Sequence, residues 1–252
     1  MKDITIFPAV STESCRFAAT FLKKAHLAVT DHIFPDITHL LLDIPSFDDN
    51  GNLKDGSDIQ ELLYRLPEDI TVIGGNLEHH YLSHYKKIDM LKDSLYLANN
   101  AAITAECALQ IAANHLGTTL TDSHILILGW GRIGKCLSRL LKSIGCTVTV
   151  AARKECDRAL LCALGYKALD YTEVPNFLPH CDIIFNTVPH QTVDPAVLNL
   201  SANCIKVDLA SSPGIKCNNI IIARGLPGKY APKTSGKLIA NSIQRILKEV
   251  SQ

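Results

Sequence analysis

The stretch that most constrains this chain is His124-Ile-Leu-Ile-Leu-Gly-Trp-Gly-Arg-Ile-Gly134. Ile125 to Leu128 are an unbroken apolar run, as expected of a short strand in a parallel sheet with both faces covered. The run leads straight into Gly129, Gly131 and Gly134, spaced G-x-G-x-x-G, and Lys135 to Ile144 then reads as a helix stopped at Gly145. In such a unit the first glycine permits a tight strand-to-helix turn. The second lets a pyrophosphate approach the backbone, and the third lets helix and strand pack closely. The helix start adds unpaired N–H groups and a positive dipole end. Gly129, Trp130, Gly131, Arg132, Ile133 and Gly134 are therefore expected to cradle a dinucleotide.

At 252 residues and 47% hydrophobic, the chain can bury sizeable cores and is too apolar for disorder. Lys+Arg and Asp+Glu number 25 each, so no net field draws nucleic acid or an anionic membrane. The N-terminus, Met1-Lys-Asp-Ile-Thr-Ile-Phe-Pro8, has no apolar signal core. The longest nearly apolar segment, Ala101 to Ala113, is interrupted by Thr104, Glu106 and Gln110 and is too short for a bilayer, so a cytoplasmic protein is expected. The nine cysteines are scattered without a C-x-x-C pair. Cys107, Cys136, Cys146, Cys162 and Cys204 lie in apolar sequence and are expected to be reduced and buried. His80 and His84 are four apart, as zinc ligands on a helix often are, but no glutamate lies between them and no third ligand is evident. A solvated polar face is expected there, and no metal.

Around the glycine turn the chain divides. Strands at 3–10, 40–44 and 70–73 alternate with helices at 12–28 and 59–66, giving a small α/β domain over residues 1–100. A helix over 101–118 follows, then a dinucleotide-binding domain over 119–234 and a terminal helix over 235–252 that packs back across the interdomain region. The fold class expected is α/β, with a doubly wound parallel Rossmann sheet beside the smaller N-terminal domain. Asn100 caps the middle helix, or Thr104 starts it. Either it is a plain connection, or its start faces the interdomain cleft and offers Asn100, Thr104 and Glu106 to substrate.

Beyond the glycines, Thr147 to Val150 form a β-branched strand ending in Ala151-Ala-Arg-Lys154. An NAD site usually has an acidic residue there for the ribose 2′-hydroxyl. Arg153 and Lys154 suit a 2′-phosphate instead, so NADP is expected, with NAD as the alternative. Two more apolar strands end in Asn186-Thr-Val-Pro189 and in Asp208-Leu-Ala-Ser-Ser212, on the edge where doubly wound sheets hold ligands. Asn186, Thr187, Val188, Pro189, Asp208, Ala210 and Ser211 are expected beside the nicotinamide. A proline- and glycine-rich loop, Gly225 to Gly236, then precedes a helix from Lys237 to Val250. Its Lys233, Thr234 and Ser235 offer a cation and two hydroxyls near a helix start, which suits a substrate carboxylate. Lys233 is expected to bind that carboxylate or to act as acid/base, assisted by Thr234, with Ser235 a further substrate contact.

Read together, Ala101-Ala-Ile-Thr-Ala-Glu106, Leu126-Ile-Leu-Gly-Trp-Gly-Arg-Ile-Gly-Lys135, Val148-Thr-Val-Ala-Ala-Arg-Lys154, Asp182-Ile-Ile-Phe-Asn-Thr-Val-Pro189, Val207-Asp-Leu-Ala-Ser-Ser-Pro-Gly214 and Gly225-Leu-Pro-Gly-Lys-Tyr-Ala-Pro-Lys-Thr-Ser-Gly236 resemble the A-type family of dipicolinate synthase subunits. The first hundred residues match less well. The family usually opens on a glycine-rich strand–turn, whereas this chain has Phe7-Pro-Ala-Val10 and looks shortened, and Cys107 stands where the family has glycine. The resemblance implies an NAD(P)-dependent oxidoreductase that converts a dihydrodipicolinate-pathway dicarboxylate to pyridine-2,6-dicarboxylate during spore formation. It also implies a partner, the flavoprotein-like B-type dipicolinate synthase subunit, with self-association open. The alternatives are a dehydrogenase for another small dicarboxylate or imino acid, and a non-catalytic NADP-binding protein that supports the flavoprotein.

Overall fold

The computed structural model describes residues 4–201 and 203–250, arranged as two compact units. The first runs to Asn100 and takes in the chain again from Pro227; the second is Ala101–Leu226.

The first unit is built from β1 (Thr5–Ala9), α1 (Glu13–Lys24), β2 (Ala28–Val29), β3 (His39–Leu42), α2 (Ile59–Tyr64), β4 (Thr71–Gly74) and β5 (Lys86–Asp89). Its sheet is parallel, in the order β2-β1-β3-β4-β5. Period-two alternation sets its two faces. Leu41 and Ile73 point into a cluster with Ile6, Cys15 and Leu22, while Leu40, Leu42 and Val72 point into another with Ile37, Ile59 and Leu63. Sequence patterning misses β2, which has two residues, and β5, whose Lys86 and Lys87 are exposed.

The helix α3 (Ser94–His115) begins earlier than expected. The Asp93 carboxylate accepts from the N–H of Tyr96 at 2.6 Å and pairs with Arg245 at 2.7 Å, and its carbonyl accepts from the N–H of Leu97. That start moves Asn100 and Thr104 into the helix interior, so neither caps nor opens it, and Glu106 lies beyond the first turn.

The second unit contains β6 (His124–Leu128), α4 (Arg132–Ser143), β7 (Thr147–Ala151), α5 (Glu155–Ala163), β8 (Lys167–Leu169), α6 (Val174–Phe177), β9 (Ile183–Asn186), α7 (Pro195–Leu200), β10 (Ile205–Asp208) and β11 (Ile220–Ile222). Its parallel sheet has the order β11-β10-β9-β6-β7-β8. Ile125 to Leu128 are all essentially solvent-free, as their unbroken apolar run requires.

After β11 come α8 (Leu226–Tyr230) and α9 (Pro232–Val250). The expected Gly225–Gly236 loop is therefore mostly helical. Pro232 opens α9, where a missing N–H costs nothing and the fixed φ already suits a helix. Within the first unit α9 packs on α1, and Gly236 is the point of close approach. A Cβ there would sit 2.5 Å from both the Phe17 Cβ and the Ser14 carbonyl oxygen.

The histidines do not share a helix face. His80–Leu82 is a single 3-10 turn with His84 beyond it, and the His79 ring stacks on Phe47 and on His80, each at 4.6 Å. Cys107, Cys146 and Cys204 are buried, but Cys136 is half-buried and Cys162 is exposed on α5. Among the described residues, no helix is long and apolar enough to cross a membrane, and no cluster of three His, Cys, Asp or Glu could hold a metal.

Candidate functional site

The strand order of the second unit reverses between β6 and β9, and in open parallel sheets ligands bind outside the carboxyl ends of the strands at such a point. Two loops meet there. The glycine turn leaves β6, while Thr187 leaves β9 and ties back, its N–H and its hydroxyl each donating to the Leu128 carbonyl at 2.9 Å.

Each glycine has a distinct physical role. Gly129 has φ +103°, a left-handed value that disfavours side chains, and a Cβ there would crowd the Thr187 hydroxyl and Val188 Cγ2 at 2.6 and 2.7 Å. A Cβ on Gly134 would run into the backbone carbonyl of Gly129, so this glycine brings α4 against the strand end. Gly131 differs from both. It is the N-cap of α4 with ordinary φ −81°, and a Cβ there would meet nothing within 4 Å. Open space over that backbone, at the N-terminus of a twelve-residue helix without an acidic first turn, is what a pyrophosphate needs. Arg132 is exposed and Ile133 half-buried on this first turn. The Trp130 ring packs edge-on to Tyr166 at 5.9 Å, with the Lys135 ammonium 5.8 Å from its centre.

Asn186 and Asp208 fill a structural place beside this turn. Both are buried, and the Asn186 amide donates to Asp208 at 2.7 Å and to the Val188 carbonyl at 2.9 Å. Asp208 also accepts from the N–H groups of Ala210 and Gly214, at 3.2 and 3.0 Å. Together they lock the loops after β9 and β10 into one shape. Thr187 and Val188 are half-buried, Pro189 and Ser211 exposed, and Ala210 buried.

At the end of β7, Arg153 and Lys154 are exposed, and among the described residues neither forms an ion pair. Tyr171 lies close enough to Arg153 to feel its charge, although burial dominates and pushes the phenol up to about 12. Sequence reading missed Arg158. Its Nη1 donates to the carbonyls of Ala152 and Arg153 at 2.9 and 2.8 Å and pairs with Asp170 at 2.8 Å. A basic residue near the positive start of a helix was the available signal.

Of the other expected residues, Thr104 and Glu106 belong to the second unit, Thr104 buried and Glu106 exposed. Asn100, Lys233, Thr234 and Ser235 belong to the first. Asn100 is half-buried, Lys233 and Thr234 are exposed on the first turn of α9, and Ser235 is buried there, its N–H donating to the Ala231 carbonyl at 2.9 Å.

The reversed strand order, the glycine turn and the tied sheet-edge loops make the second unit a Rossmann-type nucleotide-binding fold. The family model for the NAD binding domain of D-isomer specific 2-hydroxyacid dehydrogenases accordingly matches residues 82–200. More particularly, the chain is similar to the A-type subunit of the dipicolinate synthase of Bacillus subtilis (strain 168), at 31% identity over 163 residues. That match covers 60% of this chain and 54% of the relative, about half its length. Solved structures of A-type dipicolinate synthase subunits share the fold along the whole chain. The one from Bacillus halodurans has a TM-score of 0.82 at 20% identity, covering 98% of both chains. The one from Bacillus subtilis has a TM-score of 0.82 at 22% identity, covering 100% of this chain and 98% of that one.

Proposed function

We propose that this protein is an NADP-dependent oxidoreductase, the A-type component of a dipicolinate synthase, acting on a dihydrodipicolinate-class dicarboxylate. One observation carries the dinucleotide part of the reading: the open space over Gly131 at the start of α4, between two glycines that have no such space. Gly129, Gly131, Arg132 and Ile133 would hold the pyrophosphate, Arg153 and Lys154 the 2′-phosphate, and Thr187 to Pro189 with Ala210 and Ser211 the nicotinamide end. When bound, the cofactor supplies an acceptor for the hydride that a dihydropyridine ring must lose, along with a proton, to become aromatic.

The chain's own residues do the holding. Asn186 and Asp208 keep the two nicotinamide-side loops fixed, so little order need be gained on binding. Lys233, exposed at the positive start of α9 where a cation is unfavourable for the helix, is assigned to a substrate carboxylate, with Thr234 and Ser235 as hydroxyl donors. Asn100, Thr104 and Glu106 remain assigned to substrate. The partner proposed is the flavoprotein-like B-type component, in the cytoplasm of a spore-forming cell.

The test has two arms. Trp130 is the only tryptophan of the chain and sits between two glycines of the turn, so its emission should change on titration with NADPH. The protein is then mixed with NADP⁺ or NAD⁺ and dihydrodipicolinate, with and without the B-type component, while pyridine-dicarboxylate and reduced cofactor are followed by absorbance. Product with an intact Lys233, and its loss with retained NADPH binding in Lys233→Met, is the expected result. Binding without turnover in every mixture would instead make this a cofactor-holding support for the flavoprotein.

A further inference from the structure

Each backbone carbonyl of the turn after β7 already accepts at least one hydrogen bond. The Ala151 carbonyl accepts from the N–H of Gly129 at 2.9 Å. The carbonyls of Ala152 and Arg153 accept from Arg158. The Lys154 carbonyl accepts from the N–H groups of Asp157 and Arg158, both at 3.1 Å. A ribose 2′-hydroxyl is a donor that needs an acceptor, normally an acidic side chain at this strand end. The turn has no such side chain, and its Ala152 and Arg153 carbonyls are hydrogen-bonded by a guanidinium. The nearest acids are Glu155, exposed on the first turn of α5, Asp157 beside it, and Asp170, which is committed to Arg158 and to the Thr172 N–H and hydroxyl.

We propose that Arg158 is a specificity-determining residue, which makes the β7 turn select a 2′-phosphorylated ribose by covering the backbone acceptors of Ala152 and Arg153. The proposal rests on the NADP reading above and adds to it a residue that acts through the backbone. Arg153 and Lys154 supply the attracting charge. Arg158 weakens the competing attraction for a hydroxyl and offsets the carbonyl dipoles that would repel a phosphate. Asp170 holds the guanidinium in place, and its carboxyl is kept below the usual range by the Thr172 N–H and hydroxyl, with Arg158 adding to the effect.

The experiment compares NADPH and NADH dissociation constants, read from Trp130 emission, in wild type, Arg158→Met, Arg158→Gln and the pair Arg153→Ala/Lys154→Ala. Wild type should prefer NADPH. Arg158→Met should lower the NADPH-to-NADH affinity ratio about tenfold, the worth of a charge-assisted hydrogen bond, with NADH binding held or improved. Arg158→Gln keeps one neutral donor and should fall between, and it serves if the methionine variant does not fold. The paired alanine variant should lose NADPH affinity alone. A ratio unmoved in both Arg158 variants, with the paired variant behaving as expected, overturns the proposal and leaves the NADP reading standing. A wild type that prefers NADH overturns both.

Discussion

The two glycines at either end of the α4 start, Gly131 and Gly134, should answer the same substitution in opposite ways. Gly134→Ala places a methyl against the Gly129 carbonyl, with the Gly129 carbonyl carbon at 3.2 Å and the Thr187 hydroxyl at 3.4 Å. The obstacle is backbone, so α4 must shift. Overpacking of this kind costs about 1–3 kcal/mol, and alanine returns about 1 kcal/mol of helix propensity. Because the obstacle is backbone, the cost falls in the upper part of that range, at about 2–3 kcal/mol, and the net loss is about 1–2 kcal/mol, a fall in melting temperature of roughly 3–10 °C for a unit of this size. Gly131→Ala meets no atom within 4 Å and keeps an ordinary φ. The poorer N-cap costs about 0.5–1 kcal/mol, and the smaller unfolded-state entropy gives back about as much. Its melting temperature should stay within about 2 °C of wild type. Its methyl, however, fills the space left for the pyrophosphate and should weaken NADPH binding more than tenfold through lost charge-assisted N–H contacts. Differential scanning calorimetry and Trp130 titration on the two variants separate these effects. A Gly131→Ala protein that binds NADPH like wild type would refute the placement of the phosphates over this backbone.

Two other predictions concern the buried interior. In Asp43→Ala the main-chain N–H groups and hydroxyls of Ser11 and Thr12 lose their shared acceptor, and the thermal midpoint should fall by the equivalent of about 2–4 kcal/mol, whereas a loss under 1 kcal/mol would mean that water replaces the carboxylate. Burial pushes the Cys15 thiol up to about 11 and those of Cys181 and Cys204 up to about 12. The folded state therefore holds these protons at a pH where unfolded thiols, titrating near 9, have lost them. This stabilisation is complete below pH 9 and drains away as pH rises toward 11–12, so urea midpoints should decline through that window; a flat profile there would show that the thiols are not desolvated.

The second unit was legible because its signals are local. Unbroken apolar runs and glycine spacing are dictated by sheet burial and by backbone approach, and both can be read within eleven residues. What escaped is non-local. The start of α3 is set by Asp93 with Arg245, residues 152 positions apart. The helical course of 226–236 depends on α9 docking against α1, which rewards an early start at Pro232 over a loop. Arg158 left only a weak signal, a basic residue near a helix start, because its targets are carbonyls, which no side-chain pattern reports. Asn186 and Asp208 were placed at the right sheet edge, but their mutual hydrogen bond makes them holders of loops, a role that depends on pairing across two strands.

The first unit explains why only one of the two sheets should take a dinucleotide. Its strand order also reverses, between β1 and β3, so topology alone would put a second ligand site there. The β1–α1 corner has no glycine, and the donors of Ser11 and Thr12 are already engaged. The N–H groups of Ser11 and Thr12 donate to Asp43 at 2.8 and 3.0 Å, and both hydroxyls donate to the same carboxylate, which is buried at the end of β3. A phosphate arriving at the start of α1 would meet a fixed negative charge and no free N–H from either residue. At the start of α4 the same topology meets open backbone and an exposed arginine. The two corners share a geometry and differ in who supplies the anion: in the first unit the chain does, with Asp43, and in the second the ligand must.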